Sequence, residues 1–305
     1  MEGWIPGDLL HFEIRSLSLS IMRQLCFRLV RFLVVCLPLP TKLRDILMWP
    51  ITSRLLGLDY STIIERPGGY KIKVDLKDQL NRILLFYGRN VKYLWEPQTT
   101  KVAQMLIANA THSVVAGSHI GYINLELLSS LAPDARIYTF EPAGYLYERS
   151  KENIALNQAG DRIKLFHAAL SDRVGETAIY VEDLRTSIVP YSAAHTVNDR
   201  VERVPTLTLG TLKSQENIPR LDFLFLDVEG FEYQILTGAK DVLMTDKPTI
   251  IFEVSEKILR ATKITADMLY TWLRERGYSL FVIDDNYELD NVTDWDDRPV
   301  KIAQV

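Results

Sequence analysis

The chain is predicted to fold as a doubly wound α/β domain with a mostly parallel sheet, and three observations predict it. From residue 112 onward, strand-like and helix-like patterns alternate at the spacing of strand–helix–strand units. Two runs, Leu221–Leu226 and Ile250–Phe252, are almost continuously apolar, as strands covered on both faces are. Two glycines, Gly117 and Gly121, stand between an apolar run and an apolar-periodic stretch. A strand–loop–helix join of that kind is where backbone comes close to an anionic or nucleotide-like ligand.

In chain order, residues 1–60 read as an amphipathic helical extension, 61–95 as a small β element, 96–290 as the α/β domain and 291–305 as an acidic tail. The stretch 60–88 reads as short strands around the Pro67-Gly68-Gly69 turn, because Ile72 and Val74 alternate with Lys71, Lys73 and Asp75. Residues 96–110 read as a helix with Thr99 or Thr100 at its N-cap. Strands are expected at 112–117, 135–142, 163–171, 175–182, 221–230, 248–254 and 278–284. Helices are expected at Tyr122–Leu131, Tyr145–Asn157, Glu232–Leu243 and Asp267–Glu275. Residues 183–206, rich in Ser, Thr and Asn, read as one long functional loop.

Of the 305 residues, 47% are hydrophobic and 24% charged, enough to bury a substantial core. A net charge of −4 argues against a dedicated nucleic-acid binder. The charge is uneven. Residues 14–54 hold Arg15, Arg23, Arg28, Arg31, Lys42, Arg44 and Arg54 against Asp45 alone, a net +6 that leaves −10 for the rest. Within that segment Ile21, Leu25, Leu29, Phe32 and Cys36 share one helical face. Such a helix either packs on protein or rests peripherally on anionic lipid. The uncharged run from Phe32 to Pro40 falls well below the roughly 20 residues of a spanning helix, and no small-residue cleavage site follows it. Cys26 and Cys36, ten positions apart, lie about 15 Å apart on one helix, too far for a disulfide. That fits a reducing, cytoplasmic setting.

Ligands of open parallel sheets sit beyond the carboxyl ends of strands. Four such ends carry informative residues. In Gly117-Ser118-His119-Ile120-Gly121 the loop offers backbone N–H groups, although the glycine pair alone also fits an ordinary turn. Glu141 ends a strand 24 residues after Gly117, the order in which an acid accepts from ribose hydroxyls. At 167–172, Ala168 and Ala169 leave room for a flat ring whose edge Ser171 or Asp172 would bond. In Leu226–Glu232 the acids Asp227, Glu229 and Glu232 gather at the end of a very apolar strand, where packing alone disfavours charge. Asp227 and Glu229 share a side if the strand continues through them.

The blocks GSHIGY, YTFEP, ALSDRVGE and above all LDFLFLDVEGFEYQILTGA, followed by PTIIFEV, resemble the FkbM family of S-adenosylmethionine-dependent methyltransferases over roughly residues 95–285. The resemblance implies a class I methyltransferase, Rossmann-like fold and S-adenosyl-L-methionine as cofactor. It implies methylation of a hydroxyl on a small-molecule, glycan or lipid acceptor. On that basis Gly117, Ser118, His119, Gly121, Glu141, Ala169, Asp172 and Asp227 are expected around the cofactor. Asp227 and Glu229 are the expected catalytic acids, Glu253 completes an acidic pocket, and His195 reaches from the long loop as a base. The family's glycine loop usually begins with Asp and carries Asn. Here those places hold Val115 and His119, and Gly210 stands where an Asp is usual. An alternative is therefore a catalytically silent relative acting as a binding or membrane-associated module. No zinc-spaced Cys/His cluster occurs.

Overall fold

The computed structural model describes residues 21–22, 25–29, 32, 50–57, 60–76, 79–87, 96–182, 185–187, 200–254, 264–283, 289–291 and 300–304. The chain divides into two compact units, Met1–Glu65 with Lys73–Trp95, and Arg66–Ile72 with Glu96–Val305.

In the first unit the described residues between 21 and 32, and residues 50–56, are helical. Phe27 is buried there, its ring 6.4 Å from that of Phe86. β1 (Ser61–Glu65) and β2 (Lys71–Asp75) form a two-stranded sheet. The turn between them, in the segment Arg66–Ile72 that belongs to the second unit, is closed by Arg66 N–H donating to the Tyr70 carbonyl at 2.8 Å, with Pro67-Gly68-Gly69 at the tip and Gly69 at φ +79°. Gln79–Tyr87 is a helix, where only strands were expected. The apolar run Ile83–Phe86 has no period that separates a buried helix from a strand.

The second unit holds the main sheet. Its strands are β3 (His112–Ala116), β4 (Arg136–Phe140), β5 (Ile163–Phe166), β10 (Phe223–Leu226), β11 (Thr249–Glu253), β12 (Ser279–Ile283), β13 (Leu289–Asn291) and β14 (Val300–Gln304). A smaller sheet of order β6-β9-β7-β8 is made from β6 (Ala169–Leu170), β7 (Gly175–Glu182), β8 (Arg185–Ser187) and β9 (Arg200–Leu207). The main sheet runs β5-β4-β3-β10-β11-β14-β12-β13, and every pair from β5 to β11 is parallel. β14 lies antiparallel between β11 and β12. The chain steps outward from β3 through β4 to β5, then returns to β10 on the other side of β3. Strand order therefore reverses between β3 and β10, and the crevice beyond their carboxyl ends is where open parallel sheets hold a ligand. This is the class I methyltransferase arrangement expected above.

The apolar runs are central strands, as expected. Leu224 and Leu226 of β10 and Ile250 and Phe252 of β11 are essentially inaccessible and join one core with Leu236, Leu243, Leu269 and Leu273 of the covering helices, while Phe223 is buried as well. Burying a side chain of this size contributes about 1.5–3 kcal/mol.

Four boundaries differ from expectation. The strand foreseen at 163–171 is two strands in two sheets, because the chain turns at His167–Ala168. The helix foreseen at Glu232–Leu243 is two, Glu232–Gly238 and Lys240–Asp246, joined at Ala239. Part of the long loop is the strand β9, paired with β7 through seven residues from Gly175↔Thr206 to Val181↔Arg200. Beyond residue 290, where a tail was expected, Val300–Gln304 is an inner strand of the main sheet.

Candidate active site

The end of β10 is the most heavily charged place beneath the crevice. β10 stops at Leu226 and the chain turns: Glu229 (φ +54°) and Gly230 (φ +96°) are both left-handed. The strand does not continue through Asp227 and Glu229, so alternation along a strand does not relate their side chains. The turn is braced from within. The fully buried Glu232 carboxylate accepts from the N–H groups of Gly230 at 3.3 Å and Val228 at 3.4 Å. Burial raises Glu232 to about 7, and those two N–H bonds pull the other way.

Asp227 N–H donates to the Ala116 carbonyl at 3.0 Å, which fixes the residue to the end of β3. Its carboxyl faces Glu253 at the end of β11, and Glu96 and Glu229 add further negative charge. Burial, followed by the charge of Glu253 and Glu96, raises Asp227 well above the ordinary carboxylate range. Asp227, Glu253, Glu96 and Thr99 line a small recess floored by Phe225, Leu226 and Ile251.

Glu96 is the functional candidate that sequence reading missed. It is the N-cap of the helix Pro97–Ile107, in left-handed conformation (φ +43°), rather than Thr99 or Thr100. Burial first, then Glu253, raises it to about 7, while a hydrogen bond with the Thr99 side chain lowers it. Pro97 was the available signal, since proline favours the first helical position and so marks the residue before it as N-cap.

On the other side of the switch point the glycine loop is tightly built. Gly117 has φ +88°, and a Cβ there would overlap the Asp227 carbonyl oxygen. Only glycine lets the two strand ends meet so closely. Gly121 (φ +85°) caps the helix Tyr122–Leu128, and a Cβ on it would press on Ser150 Oγ at 2.9 Å. The loop's N–H groups are largely committed: Gly117 and Ser118 donate to the Phe140 carbonyl, each at 3.1 Å, and Gly121 to the Ser118 carbonyl at 2.8 Å. Ser118 Oγ is buried with Ser150 Oγ (2.9 Å) and Asn124 Nδ2 (3.2 Å). Val115 is fully buried in β3 between Thr139 and Phe225.

Glu141, one residue beyond β4, closes this side. Oε2 accepts from His119 N–H at 2.7 Å and Oε1 from Ala143 N–H at 3.0 Å. Burial raises the carboxyl to about 8 against the pull of those two bonds. Each oxygen has a further lone pair, so the carboxyl retains acceptor capacity.

Ala169 is buried in the smaller sheet opposite Thr206. Asp172 is bonded by Ser171 Oγ at 3.0 Å, and its backbone packs so closely on Gly238 that a Cβ on Gly238 would overlap it. That contact gives Gly238, in the ILTGA block, a packing reason to be glycine. His195 lies outside the described residues. Among the described residues, no group of three or more His, Cys, Asp or Glu has metal-binding geometry.

A methyltransferase named sdnD, from Sordaria araneosa, is 26% identical over 156 residues, which cover 42% of this chain and 60% of that protein. The AMB antimetabolite synthetase AmbE of Pseudomonas aeruginosa is 25% identical over 204 residues, 55% of this chain but 10% of the synthetase. The match thus spans less than two thirds of either relative. Among solved structures, the FkbM methyltransferase of Methylobacillus flagellatus matches with a TM-score of 0.42 at 13% identity, over 64% of this chain and 44% of that one. The model of the Methyltransferase FkbM domain matches residues 116–280, more than half of the chain and the whole span from the end of β3 to β12, and on that match the chain belongs to the FkbM methyltransferase family.

Proposed function

We propose that the chain is an S-adenosylmethionine-dependent O-methyltransferase acting on a hydroxyl of a sugar, lipid or natural product. The single observation that carries the reading is the pairing, across the β3/β10 switch point, of a buried ribose-type acceptor, Glu141, with a carboxyl cluster at Asp227. The family match supports the reaction class, and the carboxyl recess suits a cationic donor better than any other ligand group.

When bound, S-adenosylmethionine supplies a methyl group on a positive sulfur, so that a C–O bond forms as the C–S bond breaks and its electron pair stays with sulfur. Glu141 would accept from the ribose hydroxyls through its remaining lone pairs. Asp227 and Glu253 would face the positive charge. An acceptor hydroxyl must lose its proton as the new bond forms, and a carboxylate within hydrogen-bond reach is sufficient to take it. Asp227, whose affinity for a proton is raised by burial and by the charge of Glu253 and Glu96, is the first candidate for that role. Glu229, on the left-handed turn, is the second candidate, as base or as a ligand to the hydroxyl. The loop N–H groups are spent on Phe140, Ser118 and Glu141, so the amino-acid end of the cofactor needs other partners, and His119 is the side chain placed at the loop's apex.

Titration calorimetry with S-adenosylmethionine and S-adenosylhomocysteine, followed by transfer of labelled methyl to glycan, lipid and small-molecule hydroxyl panels, tests this. Saturable heat with both compounds and a methyl ether product are expected. No heat at millimolar ligand would leave the silent-relative reading in its place.

A further inference from the structure

We infer that the exposed apolar side chains of the described helical residues between 21 and 32 form a docking surface for an anionic lipid membrane. Ile21, Leu25, Leu29 and Phe32 are 52%, 58%, 61% and 64% exposed. At 100° per residue they fall within an arc of roughly 80°. This is a continuous apolar stripe rather than scattered surface residues, and a stripe of large side chains left in water marks an interaction face. Phe27 projects from the opposite side and is buried near Phe86. The helix is thus anchored to its own unit by its back and shows its apolar front to solvent.

Charge selects the occupant. Arg28 flanks the stripe and is exposed. The segment 14–54 carries +6 while the rest of the chain carries −10. A basic apolar face on an otherwise acidic protein is complementary to a negative surface with an apolar interior, which is what anionic lipid offers. A second copy of the chain would bring the same +6 against itself. No described helix is long and apolar enough to cross a membrane, so the contact is one of lying on the surface.

Flotation of the full chain with vesicles of phosphatidylcholine alone, or with phosphatidylserine added, tests this. At least about a tenfold larger bound fraction is expected on the anionic vesicles, and most of that excess is lost at about 0.5 M salt. The double variant Leu25→Glu, Leu29→Glu should abolish flotation with an unchanged melting temperature, since both side chains are already exposed. Arg28→Glu should weaken it selectively on anionic vesicles. Equal binding to both vesicle types, or none, would overturn the inference. So would a concentration-dependent dimer in ultracentrifugation that Leu25→Glu, Leu29→Glu dissolves, because the occupant would then be a second copy.

Discussion

Glu141 and Asp227 are both acids just past the end of a parallel strand, on opposite sides of one crevice, yet their surroundings differ. Glu141 is held by two backbone N–H groups of its own neighbourhood. Asp227 faces three other carboxyls, Glu253, Glu96 and Glu229. Hydrogen bonds from N–H groups tether Glu141 as an acceptor in one orientation, the property of a binding group. A carboxyl whose proton affinity is raised by burial and by like charge is poised to exchange a proton, the property of a group that handles chemistry. The same residue class thus serves two purposes, and the neighbours decide which.

The comparison breaks most visibly at Asp227. Asp227→Asn keeps the side chain's shape and removes the group that can take a proton, so turnover should fall by about 100- to 10,000-fold while the fold is retained. Stability should hold or rise slightly, because a negative group leaves a crowded carboxyl cluster. A turnover within threefold or so of wild type would detach Asp227 from the chemistry. Gly117→Ala should destabilise by about 3 kcal/mol or more, because φ is +88° and the new Cβ overlaps the Asp227 carbonyl. Denaturant unfolding reads this directly.

Glu141→Ala should destabilise by about 2–3 kcal/mol, since the N–H groups of His119 and Ala143 lose a buried acceptor. Loss of cofactor binding with unaltered stability would mean that Glu141 serves only the ligand. A further test concerns pH. Glu141 stands at about 8, and Glu96 and Glu232 at about 7. Each of these carboxyls is raised above its unfolded value, so the folded state binds more protons than the unfolded chain through this range. Stability from them is fully present below about pH 4.5 and declines as pH rises toward 8. The melting temperature should therefore fall between pH 5.5 and 8, and a rise across that window would contradict the burial of these groups.

Much of this crevice was legible in the residues. Gly117, Glu141 and Asp227 stand at strand ends because each follows an apolar run, and such runs are hard to mistake when buried on both faces. What was hidden depended on contacts across the chain. Glu96 joins the carboxyl recess from a helix more than a hundred residues before Asp227, and nothing local shows that approach. The turn after β10 looked like strand because Val228 follows Asp227, whereas two consecutive left-handed residues end it. β9 was concealed by Pro205, which lowers any strand expectation, although it pairs there with Glu176. β6 has two residues, too few to show a period. β14 follows the acidic stretch 284–297, which reads as a solvated tail until the sheet order places it between β11 and β12.

The most direct measurement is a crystal structure with S-adenosylhomocysteine bound. The expected result is the ribose on Glu141 and the sulfur beside Asp227, with the Gly117 turn between them. An occupied pocket elsewhere, or a crevice that stays closed under saturating ligand, would contradict the assignment of these two acids to binding and to chemistry.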